Sequence, residues 1–277
     1  MAGGQGGLGT WASASTNWTE NPNGVINDRW LGQVGIFGGA AGGMVTASGA
    51  LDFQGLQFTV NGYSVAGGAL NAVGNGVAGG NAQAAFLNID AGVTTTISST
   101  ITSTAGVGLD KLGQGTLILA RANSYAGMTD IQAGALEIRN GTALGAADGL
   151  QATGTRVRTG AALALAGGIA VGNEALSLSG NGIANGGALR SLSGSNAWAG
   201  PITLEVASRI NADAGTLTLG GPIGGTGRNL AVGGAGDITI NGAITTGAGA
   251  LTHDGPGTLT LNGANSFTGL TGNVSGT

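Results

Sequence analysis

Short runs of alternating polar and apolar residues, each ended by glycine or asparagine, recur along almost the whole chain. A period of two places successive side chains on opposite faces of an extended strand, so that one face is buried and the other meets solvent. The segments between these runs show no helical period. The pattern therefore predicts an all-β protein of many short strands. The clearest runs are residues 116–119, 135–139, 162–165, 175–178, 203–206, 216–219, 237–240 and 258–261.

The composition agrees with this prediction and excludes several classes of protein. Glycine supplies 60 of the 277 residues, and each glycine inside a helix costs about 1 kcal/mol relative to alanine. A hydrophobic content of 42% is too high for a disordered tail, and four prolines without a Gly-X-Y period exclude collagen. A net charge of −4, with 8% charged residues, gives no basic surface for nucleic acid. The absence of cysteine excludes disulfides and thiolate metal sites.

No targeting or membrane segment is visible in the sequence. The longest apolar stretch, residues 161–172, is interrupted by two glycines, and it is shorter than the roughly 20 residues that a membrane-spanning helix needs. The start, MAGGQGG, lacks the basic and hydrophobic regions of a signal peptide. We therefore expect no membrane insertion by this segment, and we expect any signal peptide and translocator to lie outside it.

The spacing of the runs predicts a repeat architecture. Their leading leucines, at 163, 176, 189, 204, 217 and 230, are separated by 13, 13, 15, 13 and 13 residues. A sandwich and a parallel solenoid both contain many short strands at regular steps. Most segments between the runs are longer than the two-residue turns of hairpins, and the few charged and aromatic residues suit a narrow interior of stacked aliphatic side chains. The sequence thus favours the parallel β-solenoid over the sandwich.

A long-range repeat is the most specific signal in the chain. Residues 113–135 (GQGTLILARANSYAGMTDIQAGA) and 255–277 (GPGTLTLNGANSFTGLTGNVSGT) are offset by 142 positions and identical at eleven of 23. In each copy, Gly-x-Gly forms a tight turn into a Thr-Leu-x-Leu strand, and Ala-Asn-Ser forms the next corner, where asparagine suits a left-handed backbone. At roughly 20–25 residues per coil, the offset corresponds to about six or seven coils of a solenoid.

The repeated unit closely resembles the passenger-associated transport repeat, also called the autotransporter-associated β-strand repeat, of Gram-negative surface proteins. Both copies match its pattern of Gly-x-Gly-Thr-Leu-x-Leu, then Ala-Asn-x-aromatic-x-Gly-x-Thr. Residues 9–11, 17–19, 36–38 and 62–63 resemble the opening of such a passenger. The resemblance implies a right-handed parallel β-helix, here of roughly a dozen rungs, in a passenger domain exported by type V secretion to the cell surface or beyond. We predict aromatic-rich capping rungs over residues 1–65 and a β-helix body over 66–277.

Candidate catalytic and metal-binding residues are few. His253 and Asp254 are adjacent, but the first repeat copy has Lys111 and Leu112 there, so we interpret His253 as a polar residue on a coil turn. Asp90, Asp110, Asp130 and Asp148 are about one coil apart, yet their neighbours differ, and we favour solvated turn residues over a Ca²⁺ site or an acid/base pair. The Gly-x-Gly-x-x-Gly matches at 4–9 and 74–79 open no helix after a strand. We predict no catalytic, cofactor-binding or metal-binding residue and no cofactor.

Aromatic residues concentrate near the start of the chain. Such a cluster either closes the end of a β-helix or offers a platform for carbohydrate, and we favour closure. The early residues are Trp11, Trp18, Trp30, Phe37, Phe53, Phe58 and Tyr63, and those that follow are Phe86, Tyr125, Trp198 and Phe267.

Three classes of function fit these observations. The first is a structural, non-catalytic surface protein that serves as a stalk or adhesive surface in adhesion or biofilm, with cell-surface glycans or other cells as partners. The second is a subunit of an extracellular filament that associates with itself end to end, and the third is a polysaccharide-acting enzyme. The sparse ionisable residues argue against the enzyme. Because Gly276 and Thr277 end the second copy where the first continues into a strand, we expect an open coil, and we favour a fragment of a longer passenger over a filament.

Overall fold

All strand pairing in the structure is parallel. The computed structural model describes residues 8–14, 30–74 and 83–274, and within these ranges each strand pairs with strands roughly one coil earlier and one coil later. Antiparallel hairpins would have indicated a sandwich. The all-β, parallel β-solenoid prediction is therefore confirmed, while the right-handed sense stays a prediction.

Each coil has three faces, which the chain visits in the order 1, 2, 3. Face 1 consists of β2 (Val34–Phe37), β4 (Gly55–Phe58), β6 (Ala84–Ile89), β9 (Gly108–Leu112), β11 (Thr129–Ile131), β13 (Thr155–Val157), β16 (Leu176–Gly180), the first part of β19 (Ile202–Ala212), β21 (Ile223–Gly224) and β24 (Ile244–Thr245).

Face 2 is the longest stack, with twelve strands in the described ranges. At the strand spacing of about 4.8 Å, eleven intervals give a rod of about 53 Å, which agrees with the prediction of roughly a dozen rungs. The strands are β1 (Gly9–Ala12), the first parts of β3 (Met44–Phe53) and β5 (Ser64–Ala72), β7 (Thr94–Ile97), β10 (Thr116–Leu119), β12 (Ala135–Ile138), β14 (Ala162–Ala166), β17 (Leu189–Ser193), the second part of β19, β22 (Leu230–Gly233), β25 (Leu251–His253) and β27 (Thr271–Asn273).

Face 3 has short strands joined in places by single backbone hydrogen bonds. A 3-10 turn (Ile183–Asn185) interrupts the chain between faces 1 and 2. The face 3 strands are the second parts of β3 and β5, then β8 (Thr100–Ser103), β15 (Ala170–Val171), β18 (Ser195–Trp198), β20 (Thr216–Leu219), β23 (Asp237–Ile240) and β26 (Leu259–Leu261).

The length of a coil varies along the solenoid. Thr116 lies opposite Ala135, and Ala135 lies opposite Ala162, so consecutive coils contain 19 and 27 residues. In the last coils the step settles at 21 residues, as between Thr216 and Asp237. The 13-residue spacing of the leucines is therefore half of a 26-residue coil, since Leu163 lies directly opposite Leu189.

The core is a set of inward columns that run through successive coils. On face 2, Leu117, Leu136, Leu163, Leu189 and Ile210 stack in register, and none is more than 1% exposed. Full burial of one such side chain contributes about 1.5–3 kcal/mol. The alternating runs predict that their leucines and isoleucines face the core, and those confirmed as buried are Leu117, Leu119, Leu136, Leu217, Leu219, Ile238 and Ile240.

The predicted core residues of the last coil, Leu259 and Leu261, are only partly buried. Their strand, β26, pairs with β23 on one side, and the described part of the chain holds no face 3 strand on its other side. Gly276 and Thr277, on which the expectation of an open coil rested, lie outside the described residues.

The two repeat copies occupy different faces. Six coil steps lead from β10 through β12, β14, β17, β19 and β22 to β25, and β26 then lies one face further on. The prediction of six or seven coils is thus confirmed, but the Thr-Leu-x-Leu strand of the first copy lies on face 2 and that of the second on face 3. The sequence motif therefore specifies a local path of the chain rather than one face.

The corner asparagine has the same role in both copies. The Oδ1 of Asn123 accepts a hydrogen bond from the backbone N–H of Ile101 at 2.8 Å, and the Oδ1 of Asn265 accepts one from the N–H of Ile244 at 2.9 Å. Asn123 also donates to the carbonyl of Ala143 at 2.6 Å, and therefore links three coils. These bonds satisfy main-chain groups at corners, where the strand ladder is interrupted.

Most of the described early aromatic residues lie inside the first coils, whereas Trp30 is only partly buried. Phe37 and Phe58 stack with their ring centroids 4.6 Å apart, and Trp11 meets Phe37 edge-on at 5.6 Å. Phe53 is also buried and Tyr63 is 5% exposed. This packing is compatible with closure of a β-helix end, which stays a prediction. Trp18 lies outside the described residues, and the division at residues 65/66 stays a prediction.

Candidate functional site

The single lysine of the chain points into the interior of the solenoid. Lys111 lies in β9 and is 1% exposed. Its neighbours in the same inward column are Leu87 on one side and Ile131 on the other, both buried. A charged side chain in such a column is costly unless polar groups surround it.

Main-chain carbonyl groups surround the Lys111 amine. Its Nζ donates to the carbonyl oxygens of Leu112 at 2.9 Å, Gly113 at 2.8 Å and Ala133 at 2.9 Å. Leu112 is the last residue of β9 and Gly113 begins the turn that follows, whereas Ala133 belongs to the corresponding turn of the next coil. Burial lowers the pKa of Lys111 to about 7, while three acceptors match the three N–H groups of an ammonium.

A second buried group is the carboxyl of Glu174, which lies at one end of a short row of polar side chains inside the solenoid. The hydroxyls of Tyr125 and Thr129 are 2.7 Å apart, and Thr129 lies opposite Thr155 in the next coil. The Thr155 hydroxyl donates to Oε1 of Glu174 at 2.8 Å. Glu174 is 1% exposed, and its burial, aided by the negative charge of Asp148, raises the pKa of its carboxyl to about 7.

The single histidine is also buried. His253 is the last residue of strand β25, opposite the buried Val232, and is 8% exposed. The interpretation of His253 as a polar turn residue is therefore wrong. Its position in the second repeat copy is that of Lys111 in the first, so both copies have a buried basic side chain two residues before the first glycine of the Gly-x-Gly turn.

The four aspartates do not form one stack. Asp110 and Asp130 lie directly opposite each other in β9 and β11, and both are buried, so the interpretation as solvated turn residues is wrong for these two. Arg158 binds both oxygens of Asp130, at 3.0 Å from Nε to Oδ1 and 2.6 Å from Nη2 to Oδ2. Asp90 lies after the end of β6, and Asp148 accepts hydrogen bonds within its own exposed loop. In the ranges that the structure describes, no three histidine or carboxylate side chains form a metal-binding cluster.

The outer surfaces of faces 2 and 3 differ in chemistry. On face 2, Arg190 pairs with Asp213 and Arg209 with Asp254, at 2.6 and 2.5 Å. On face 3, strands β18, β20, β23 and β26 stack without a register shift. Their outward row consists of Ala197, Thr218, Thr239 and Thr260.

Two open depressions mark the surface. One of about 380 Å³ lies beside the ion pair of Glu137 and Arg139, and the other, of about 250 Å³, lies beside Trp30. In the second, the Trp30 indole donates to the carbonyl of Asp52 at 2.6 Å. Neither depression contains an arrangement of acid, base and nucleophile. The first is lined by Glu137, Arg139, Ala166, Gly167, Leu192 and Ser193, and the second by Ser13, Trp30, Leu31, Gly32, Ala50, Leu51 and Asp52.

Sequence reasoning missed the buried positions of Lys111 and Glu174. For Lys111 a signal existed, because it follows Leu109 by two residues and so shares the inward parity of that strand. Glu174 lies between β15 and β16, outside an alternating run, and gives no such signal.

Comparisons with known proteins agree with the resemblance found in the sequence. The family model described as "Passenger-associated-transport-repeat" matches residues 109–138 and 251–272. A relative described as "Adhesin BmaC autotransporter", from Brucella suis biovar 1 (strain 1330), is 33% identical over 145 residues. That match spans 48% of this chain and 4% of the adhesin. These matches confirm an autotransporter passenger with transport repeats and, with it, the predicted localisation at the cell surface or beyond.

No solved structure matches the chain. In the described ranges, no helix has the length and apolar character needed to cross a membrane.

Proposed function

We propose that this segment of an autotransporter passenger is a non-catalytic rod that presents an adhesive surface away from the cell. The observation that carries the proposal is the continuous parallel stack of face 2, with transport repeats built into the coils and an interior made mostly of aliphatic columns. The adhesin that matches about half of the chain supports the adhesive role. Cell-surface glycans or other cells are the partners we propose.

The positions of the ionisable groups support a role without catalysis. General acid–base chemistry needs titratable groups within hydrogen-bond reach of a substrate. Lys111, Glu174 and His253 are buried, and the arginines of face 2 are paired with aspartates. Among the described residues, the groups with the strongest pKa shifts therefore lie where no polymer can reach them.

Face 3 is the surface that we propose for adhesion. Its outward row of alanine and threonine carries no charge, although the exposed Asp237 lies two residues away on β23, and the hydroxyl groups of Thr218, Thr239 and Thr260 repeat at the coil spacing of about 4.8 Å. A regular row of hydroxyls offers hydrogen bonds to a hydroxyl-rich polymer without desolvating a charge. Glycans have this chemistry.

The test compares two lysine substitutions on different faces. Beads coated with the chain are applied to a glycan array and to cultured cells. Thr239→Lys on face 3 and Thr252→Lys on face 2 add the same charge at outward, half-exposed positions in neighbouring coils. We expect saturable binding that Thr239→Lys weakens at least tenfold and Thr252→Lys leaves unchanged. Equal effects of the two variants would contradict the assignment to face 3, and no saturable binding on either support would contradict the adhesive role.

A further inference from the structure

The smaller surface depression, of about 250 Å³, lies at the end of face 3 that contains the first coils. Its lining includes Trp30 and, from the second part of β3, the outward residues Ala50 and Asp52. Gly32, with a φ of +74°, lets the segment of Trp30 approach this strand closely, since a Cβ there would lie 3.2 Å from the Cβ of Asp52. The depression is therefore built from a strand and from the tryptophan held beside it.

The indole of Trp30 is held in place by two contacts. Its N–H donates to the carbonyl of Asp52 at 2.6 Å, and its ring meets that of Trp11 at an interplanar angle of 86°, with the centroids 5.0 Å apart. Trp11 is 1% exposed, whereas Trp30 is only partly buried. The N–H of Trp30 is thus used within the protein, and the exposed part of its ring is an apolar plate that binds a ligand with little loss of side-chain entropy.

A row of hydrogen-bonded polar side chains starts at this depression. Asp52, Asn71 and Thr102 lie opposite one another in three successive coils, on the outward side of face 3. The hydroxyl of Thr102 donates to Oδ1 of Asn71 at 3.2 Å, and Nδ2 of Asn71 donates to Oδ1 of Asp52 at 2.7 Å. A carboxylate accepts about four hydrogen bonds, so Asp52 retains the capacity to accept hydroxyl groups of a ligand.

We propose that the depression between Trp30 and Asp52 binds one neutral pyranose ring of a glycan. The C–H groups on one face of the sugar stack on the indole, and its hydroxyl groups form hydrogen bonds with Asp52 and Asn71. The proposal rests on the adhesive function proposed above and names the class of sugar that this end of face 3 binds.

The size and charge of the depression favour this ligand. A volume of about 250 Å³ is below the roughly 300–1,000 Å³ of pockets that enclose drug-sized molecules, and it suits one ring of a chain that continues into solvent. Asp52 is the one charged residue among the described residues that line it, and its carboxylate repels acidic sugars. A tryptophan beside a carboxylate also suits a quaternary ammonium, but several aromatic faces enclose such cations, and Trp11 is buried.

¹⁵N NMR tests the site in the intact chain. The four tryptophans give four indole N–H signals, and Trp30→Phe identifies that of Trp30. The probes are the methyl glycosides of glucose, galactose and mannose, those of the corresponding uronic acids, and choline. We expect a saturable shift of the Trp30 signal with at least one neutral glycoside, and at least tenfold weaker binding of its uronic acid. No saturable shift with any neutral glycoside, equal binding of its uronic acid, or tighter binding of choline would overturn the proposal.

Two variants and a matched control test the residues of the site, with binding followed at the side-chain amide of Asn71. Trp30→Leu removes the stacking plate and should weaken binding of the neutral glycoside at least tenfold. Asp52→Asn keeps an oxygen for Asn71 and should weaken binding about tenfold, because a charge-assisted hydrogen bond is lost. Asp237→Asn makes the same change at another exposed position of face 3 and should leave binding unchanged. If Trp30→Leu does not fold, unchanged binding by Asp52→Asn would by itself overturn the proposal.

A glycan array distinguishes failure of this site from failure of the proposed function. Eight coil steps, or about 38 Å, separate Asp52 from Thr239, so Asp52→Asn and Thr239→Lys act independently. Loss of binding to neutral glycans in Asp52→Asn alone would support the site and contradict the threonine row. Loss in Thr239→Lys alone would overturn the site and leave the adhesive role standing. Loss in both variants would support both assignments, and no saturable binding by the wild-type chain would overturn both.

Discussion

The buried carboxyl of Glu174 should make the stability of the chain depend on pH. Burial raises the pKa of this carboxyl to about 7 in the folded protein, against its ordinary value of 4.5 in the unfolded chain. Between these two values the folded chain keeps a proton that the unfolded chain has released. The stabilising contribution is therefore fully present below pH 4.5 and is lost as the pH rises through 7.

The size of this effect follows from the shift of the pKa. A difference of roughly 2.5 pH units, at 1.36 kcal/mol per unit, gives a loss of about 3 kcal/mol between pH 4.5 and pH 8. Glu174→Gln removes the titration and keeps an oxygen that accepts the hydrogen bond from Thr155. The variant should therefore gain about 3 kcal/mol over the wild-type chain between these two pH values.

The measurement is urea-induced unfolding at several pH values from 4.5 to 8. The quantity compared is the difference in unfolding free energy between variant and wild type, because this difference cancels the titration of all other groups. Glu205→Gln, at an exposed position, is the matched control and should give a constant difference. A constant difference for Glu174→Gln as well would refute the reasoning.

Three further predictions concern the coils and their corners. Asn123→Ala removes two buried hydrogen bonds and should lower the free energy of unfolding by about 2–3 kcal/mol, whereas Asn265→Ala removes one partly buried bond and should cost about 1 kcal/mol, both measured by urea unfolding. Leu217→Asp buries an unpaired carboxylate and should cost several kcal/mol, while Thr218→Asp on the outer side of the same strand should change stability by less than about 0.5 kcal/mol in the same assay. Thermal unfolding in excess chelator and in millimolar Ca²⁺ should agree within about two degrees, and a shift of about 10 °C would restore the hypothesis of a Ca²⁺ site.

The fold was predictable because the alternation of polar and apolar residues along each strand indicates which side chains are buried. Strands with the pattern of residues 216–219 bury their leucines wherever a strand stacks on both sides, and the parity of the strand decides which side chains point inward. The leucines of residues 258–261, in the last described strand of face 3, are only partly buried. The placement of the second repeat copy on another face was not predictable. An offset of 142 residues becomes six and one-third coils only because the intervening coils differ in length, and loops set those lengths without a periodic signal.

The buried aspartates show that flanking residues are a poor test of whether two positions are equivalent in successive coils. Asp110 and Asp130 have different flanking residues, which argued against equivalent positions, yet they lie opposite each other in β9 and β11. In a solenoid, the side chains that face the interior fix how one coil aligns with the next, as Lys111 and Ile131 do here. The side chains that face outward can differ from coil to coil. Spacing by one coil identified this pair but not Asp90 or Asp148, because Asp110 lies opposite Phe86 and Asp130 lies opposite Arg156 in the adjoining coils.

Lys111 and Glu174 together predict a minimum in the stability of the chain near pH 7. The pKa of Lys111 falls from 10.5 to about 7 on folding, so its contribution is present above pH 10.5 and is lost as the pH falls through 7. The Glu174 contribution changes in the opposite direction, between pH 4.5 and 7. Three coil steps, or about 14 Å, separate β9 from β16, and effects at that distance add.

The double variant Lys111→Met/Glu174→Gln should therefore show no minimum in stability. Lys111→Met should keep only the fall in stability from pH 5 to pH 7, and Glu174→Gln should keep only the rise from pH 7 to pH 9. Unfolding free energies of the four proteins at pH 5, 7 and 9 separate these cases. Lys111 changes the stability only between pH 7 and 9, and Glu174 changes it only between pH 5 and 7. Retention of both sides in the double variant would assign the minimum to other groups. Loss of both sides in one single variant would show that the two buried groups act as a coupled pair across the coils.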